Sequence, residues 1–158
     1  LFRSAAAHMG AVVSSGPNWV QTRRGAWPLK AIDMDCNQIP DAAMTLAVMA
    51  LYANGTTTLR NIASWRVKET DRIACMTREL RKMGANITEL EDGMVIEGTK
   101  LHGAVVDGYG DHRIVMAMAV AGLAAEGETI VKGAEAAAVT YPDFIKDFVS
   151  LGADFKII

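Results

Sequence analysis

Three short stretches concentrate side chains that could do chemistry. SWRVKETDRI, Ser64 to Ile73, sets Arg66, Lys68, Glu69, Asp71 and Arg72 into seven residues just before an apolar periodic pattern begins. Asp111-His112-Arg113 opens a nearly continuous apolar run, and Pro40-Asp41 opens another. Cations fix phosphates and carboxylates, and carboxylates beside them move protons. Lys68, Arg72 and Arg113 with Asp41 and Glu69 are therefore the parts of an acid/base site for an anionic substrate. Each residue also has a plainer reading. Glu/Lys pairs three or four apart support a solvated helix start, Asp41 after Pro40 suits an ordinary first turn, and a single His112 serves as a structural hydrogen-bonder. Trp65 and Val67 among the charges speak against a merely solvated turn, which gains little from a Trp.

The elements that must bring these residues together repeat. DAAMTLAVMALYANGTTTLRNI, from Asp41, has the same order as RIVMAMAVAGLAAEGETIVKGA, from Arg113: an apolar helix, a Gly stop, then a β-branched strand. Gly55 and Gly127 align at an offset of 72 residues. MTRELRKMGANITEL, from Met76, matches KDFVSLGADFKII, from Lys146, and FRSAAAHMGAVVSS, from Phe2, is a third copy of that ending. The division is the end of one unit in residues 1–30, a complete middle unit in 31–100 and most of a last unit in 101–158. Each unit reads helix, strand, helix, strand, and Gly93 to Gly98 adds a hairpin partner to NITEL across Glu91-Asp92-Gly93.

The first helix of each unit is apolar nearly all round and should be buried. The second is amphipathic, with Ile73, Met76, Leu80 and Met83 on one face and Arg78, Glu79, Arg81 and Lys82 facing out. An α/β lobe with helices at its centre is predicted, the reverse of the usual order. If repeated units pack alike, their helix starts share one edge, where free backbone N–H groups and helix dipoles favour anions. Lys68 to Arg72 are expected on the first turn of the amphipathic helix.

Composition narrows the rest. A chain of 158 residues, 51% apolar and 22% charged, can bury a proper core. Its formal net charge of −2 supports no general nucleic-acid or membrane-surface role. Cys36 and Cys75 form no CxxC pair and His8, His102 and His112 are scattered, which reads as reduced cytosolic thiols and no zinc site. The apolar runs Ala42 to Ala53 and Ile114 to Ala125 fall short of the roughly 20 residues a membrane helix needs. A start at Leu1-Phe2-Arg3-Ser4, without an initiator Met, is expected of a fragment or of one piece of a split protein.

DMDCNQIPDAAMTLAVMAL, TTTLRNIASWRVKETDR and YGDHRIVMAMAVA resemble three signature stretches in the C-terminal part of the 5-enolpyruvylshikimate-3-phosphate synthase family, over nearly the whole chain. The resemblance implies an inside-out α/β lobe of repeated βαβαββ units with buried helices, one of two lobes. It implies transfer of the enolpyruvyl group of phosphoenolpyruvate to the 5-hydroxyl of shikimate 3-phosphate with release of phosphate, in the cytoplasmic shikimate pathway to aromatic amino acids, the target of glyphosate. No metal or organic cofactor is implied. Asp41 and Glu69 resemble the catalytic carboxylates; Arg72 and Arg113 the arginines that hold the phosphoenolpyruvate carboxylate; Lys68 a shikimate 3-phosphate contact; and His112 the histidine shaping the phosphoenolpyruvate pocket.

Two positions depart from the family pattern. Ser64 stands where an Asn often contacts shikimate 3-phosphate, and Val139, before Thr140-Tyr141-Pro142, where many members carry a Lys on the phosphate of phosphoenolpyruvate. Loss of that charge-assisted contact would weaken binding by roughly 1.5–3 kcal/mol if nothing replaces it. The family's N-terminal lobe, which supplies the rest of the site, is the implied partner, and the chain alone is expected to be inactive or nearly so. A monomer is implied, with no nucleic-acid or membrane partner. The alternatives are the sister enolpyruvyl transferase acting on UDP-N-acetylglucosamine and a non-catalytic anion-binding lobe.

Overall fold

Helices α2 (Pro40–Ala50) and α4 (His112–Gly122) lie at the centre of the molecule, whose computed structural model describes residues 1–158. Ala43, Leu46, Ala47 and Ala50 of α2 are fully enclosed, as are Ile114, Met118 and Ala121 of α4. Only Thr45 of α2, and no residue of α4, is exposed, so neither helix has a solvent face to cover with charge.

Strands wrap these helices. β4 (Asp33–Asp35) and β6 (Thr56–Arg60) run parallel on either side of α2 in the chain, and β9 (Val105–Asp107) and β10 (Ile130–Lys132) do the same around α4. The ladders keep the offset of the repeat: Asp33 faces Thr58, and Val105 faces Ile130. In the middle segment β7 (Asn86–Glu89) and β8 (Met94–Glu97) form the hairpin across Glu91-Asp92-Gly93, completing a four-stranded sheet of order β4-β6-β8-β7. At the N-terminus α1 (Phe2–His8) leads into a separate hairpin of β1 (Val12–Gly16) and β2 (Trp19–Arg23), while the short β3 (Leu29–Lys30) pairs with β5 (Ala53–Asn54). After α5 (Phe144–Ser150) the chain turns at Gly152, but Asp154 to Ile158 form no strand. β7 has β8 to pair with in the equivalent place; the last segment has no such partner.

The amphipathic helix α3 (Arg72–Lys82) buries Ile73, Met76, Leu80 and Met83 completely, each worth about 1.5–3 kcal/mol of transfer free energy. Its outer face departs from expectation at one residue. Arg78, Arg81 and Lys82 are exposed, but Glu79 is fully buried. Seven residues after Arg72 it lies on that residue's face, where Lys82 of the same helix, the backbone N–H of Asp107 at the end of β9 and the Tyr109 hydroxyl donate to its carboxylate.

Candidate active site

Three helix starts meet at one edge of the lobe, and each is held there by a local device. Trp65, fully buried in a 3₁₀ turn over Ala63–Val67, donates its indole N–H to the Pro40 carbonyl at 2.8 Å and so ties that turn to the start of α2. This accounts for a large aromatic residue in a charged stretch. Asp71 caps α3 by accepting from the Ala74 N–H, and Asp111 caps α4 by accepting from the Arg113 N–H. The first turn of α3 begins later than the sequence indicated: Lys68 has extended backbone and Asp71 is the cap, so Lys68 and Glu69 stand before the helix. The tie of Trp65 to α2 and the capping geometry of Asp71 outweigh the helix propensity of the Lys-Glu pair.

Arg72 is the centre of the arrangement. Its side chain is 2% exposed, a burial that a permanent charge tolerates only when paired. Nε donates to Asp111 Oδ2 at 2.8 Å and Nη2 to Asp111 Oδ1 at 3.2 Å, a two-point grip by a fully buried carboxylate. The outer edge of the guanidinium reaches Glu69 Oε2 at 2.7 Å and Asp41 Oδ1 at 3.2 Å. Asp41 and Glu69 are 44% and 50% exposed, so Arg72 has a buried carboxylate behind it and two solvent-facing ones in front.

The other cations are held more loosely. Lys68 Nζ lies 3.9 Å from Asp41 Oδ1, and Arg113 Nη2 lies 3.6 Å from Asp41 Oδ2. The His112 ring, largely buried, places Nδ1 3.9 Å from Glu69 Oε1. Lys68, Arg72 and Arg113 thus face Asp41, Glu69 and Asp111. Burial would push the Asp111 carboxyl up, but hydrogen bonds from Arg72, the Arg113 N–H and Thr70 hold it below the usual carboxylate range. Lys68 and Arg113 have only long contacts, the shortest from Arg113 Nη1 to the Asp41 carbonyl at 3.5 Å, whereas the outer edge of Arg72 is occupied by Glu69 and Asp41.

Six of the seven residues singled out in the sequence therefore converge: Asp41, Lys68, Glu69, Arg72, His112 and Arg113. Ser64 makes no hydrogen bond to this cluster and lines a polar hollow of about 390 Å³ with Asn37, Asn61, Ala63 and Asp92. Val139 ends a second 3₁₀ turn, Ala134–Val139, and is 75% exposed. Asp111 and Thr70 were not singled out, although Thr70 Oγ1 donates to Asp111 Oδ2 at 3.1 Å. The available signal was an Asp adjoining His112-Arg113 at a helix start, but its pairing with an arginine 39 residues away leaves no local mark. Arg66, in contrast, serves the scaffold, donating to the Leu90 and Glu91 carbonyls and pairing with Asp71 and Glu89. No group of three His, Cys, Asp or Glu side chains is placed to hold a metal ion, and no helix is long and apolar enough to cross a membrane.

A family model described as EPSP synthase (3-phosphoshikimate 1-carboxyvinyltransferase) matches residues 2–148. The 3-phosphoshikimate 1-carboxyvinyltransferase of Ruminiclostridium cellulolyticum is 49% identical over 152 residues, which cover 96% of this chain and 36% of that protein. Its namesake in Thiobacillus denitrificans is 50% identical over 153 residues, 95% of this chain and again 36% of the relative. Among solved structures, EPSP synthase from Acinetobacter baumannii superposes with a TM-score of 0.86 at 28% identity, covering 98% of this chain and 39% of that one. The chain spans little more than a third of the length of these relatives.

Proposed function

The chain belongs to the EPSP synthase family, and on that premise we propose that its clustered helix starts are one half of a site for enolpyruvyl transfer from phosphoenolpyruvate to the 5-hydroxyl of shikimate 3-phosphate. The other half comes from an N-terminal lobe. The units 1–30, 31–100 and 101–158 make up most of the C-terminal lobe in this reading, and the complete protein is a cytoplasmic monomer that uses neither nucleic acid nor membrane.

The reaction adds the 5-hydroxyl oxygen to C2 of phosphoenolpyruvate, the hydroxyl proton passing to a neighbouring carboxylate, while the methylene carbon takes a proton from a second one. Loss of a methyl proton and of phosphate from the tetrahedral intermediate then restores the double bond. Asp41 and Glu69 are the two groups suited to these proton transfers, being ionisable, half-exposed and beside cations. Arg72 and Arg113 take the donor carboxylate, for which a planar charged fork is suited, Lys68 and Ser64 contact shikimate 3-phosphate, and His112 borders the donor pocket beside Glu69. The observation that carries this reading is the anchoring of Arg72. Asp111 holds its inner edge, so the guanidinium keeps one orientation beside both carboxylates when Glu69 or Asp41 gives way on its outer edge to the donor carboxylate.

The test is phosphate release from shikimate 3-phosphate and phosphoenolpyruvate, with this chain mixed with an N-terminal segment from the family and Glu69→Gln as control. Activity that requires both pieces and is lost with Glu69→Gln supports the proposal. A folded, associated mixture that releases no phosphate overturns it.

A further inference from the structure

The inner face of α3 carries a carboxylate that the proposed chemistry does not use. Glu79 is fully buried, yet it sits far along the helix from Glu69 and Asp41. Its Oε2 accepts from Lys82 Nζ at 2.6 Å and from the Asp107 backbone N–H at 2.9 Å, and its Oε1 accepts from the Tyr109 hydroxyl at 2.6 Å. Burial would raise its pKa, but these three bonds together hold it below the ordinary value, so the buried group is an anion. A buried ion pair is a weak source of stability compared with apolar packing of similar volume. A carboxylate with three specific donors at this place is better explained by what it orients.

Asp107 and Tyr109 belong to DGYGD, the segment that joins β9 to α4 and ends at Asp111. Its path is confined. Tyr109 and Gly110 have φ of +52° and +69°, Asp107 Oδ1 accepts from the Tyr109 N–H at 2.8 Å, and a Cβ on Gly108 would come within 2.2 Å of Val115 Cγ2. Arg72 and Glu79 stand seven residues apart, two turns along one face of α3. One grips the end of the segment at Asp111; the other grips its beginning at Asp107 and Tyr109.

We propose that Glu79 is a positioning residue: by fixing Asp107 and Tyr109 against α3 it sets the placement of Asp111, and through Asp111 that of Arg72, His112 and Arg113. The inference rests on the functional reading above for its meaning in catalysis. Its structural content, the coupling of Glu79 to Arg72, is measurable without substrate.

The experiment is NMR of this chain, following the Arg72 Nε–Hε cross-peak and the His112 ring signals in Tyr109→Phe and Glu79→Gln. Tyr109→Phe deletes one hydroxyl from a partly exposed ring and leaves Glu79 its other two partners, so it retains the fold even if Glu79→Gln does not. Arg78→Ala removes the Arg78 contact with the Tyr109 hydroxyl without touching Glu79, and Ile96→Val, a core change remote from the segment, reports what lost global stability does alone. The expected result is a displaced Arg72 cross-peak and at least about tenfold faster Hε exchange in Tyr109→Phe, shifted His112 signals, and parental spectra for Arg78→Ala. Parental Arg72 and His112 signals in Tyr109→Phe, with Hε exchange no faster than in Ile96→Val, would overturn the proposal. These spectra need no turnover, so absence of phosphate release in the two-piece assay leaves the result standing, and a negative spectrum leaves the functional reading intact.

Discussion

Replacing Asp111 by Asn tests the organisation of the site at its buried end. The change keeps shape and keeps a good helix cap, since Asn and Asp cap about equally well, but it removes the only fully buried charge opposite Arg72. Breaking a buried pair by removing one partner costs about 3–5 kcal/mol when the other charge is left alone. Arg72 is not left alone: Glu69 and Asp41 still meet its outer edge at 2.7 and 3.2 Å, and an Asn oxygen in the place of Oδ1 still accepts from Nη2 and from the Arg113 N–H, while the NH2 group in the place of Oδ2 cannot accept from Nε. The loss is therefore closer to one charge-assisted hydrogen bond, about 2–3 kcal/mol, which for a chain of this size lowers the melting temperature by roughly 4–12 °C. Asp111→Ala also removes the cap and should cost about 1 kcal/mol more. Urea unfolding of both variants and of the Arg72→Met/Asp111→Asn cycle measures these quantities. A loss below about 0.5 kcal/mol for Asp111→Asn, or a cycle without coupling, would refute the view that Asp111 anchors Arg72.

Other expectations follow from single contacts. Trp65→Phe deletes the indole bond to Pro40 and some buried volume; a loss of about 2–3 kcal/mol by urea unfolding is expected, and an unchanged midpoint would argue that the 3₁₀ turn does not depend on that tie. Acid should destabilise the chain through Asp111 and Glu79, whose folded pKa values lie below the ordinary range. Their stabilising contribution is complete above the unfolded value of about 4 and disappears as pH falls through the lower folded values. Urea midpoints between neutral and acid pH should fall less steeply in Asp111→Asn than in the parent. Burial pushes the Cys36 thiol up to about 11 and raises Cys75 as well, so neither should react with a thiol-exchange reagent at pH 8 until the chain is unfolded, and rapid labelling of the folded chain would contradict the packing.

Much of the architecture was legible because it is periodic. The offset between Gly55 and Gly127 became the offset between two parallel ladders, and the unbroken apolarity of α2 and α4 left them no stable place except the centre. Asp41, His112 and Arg113 gathered because the equivalent starts of α2 and α4 point to one edge, and Lys68, Glu69 and Arg72 join them because Trp65 ties the turn before α3 to Pro40 and Arg72 pairs with Asp111. Local sequence was less reliable at Lys68 and Glu69, where a tertiary bond from Trp65 and a cap at Asp71 moved the start of α3 downstream. It was wrong about the last residues: the strand expected after Gly152 does not form, and Asp154 to Ile158 pair with no neighbouring strand.

Charge type, repeat and helix start were thus properties of the sequence by itself: which residues could bind an anion or move a proton, and that they share one edge. Tertiary structure alone decided which of those charges would be buried and therefore fixed. Nothing local distinguishes Arg72 from Arg78, or Glu79 from Glu69, because each is a charged residue in or beside one helix. Their fates differ because Asp111, 39 residues from Arg72, and Asp107 and Tyr109, 28 and 30 residues from Glu79, arrive from the β9–α4 segment with the partners a buried charge requires.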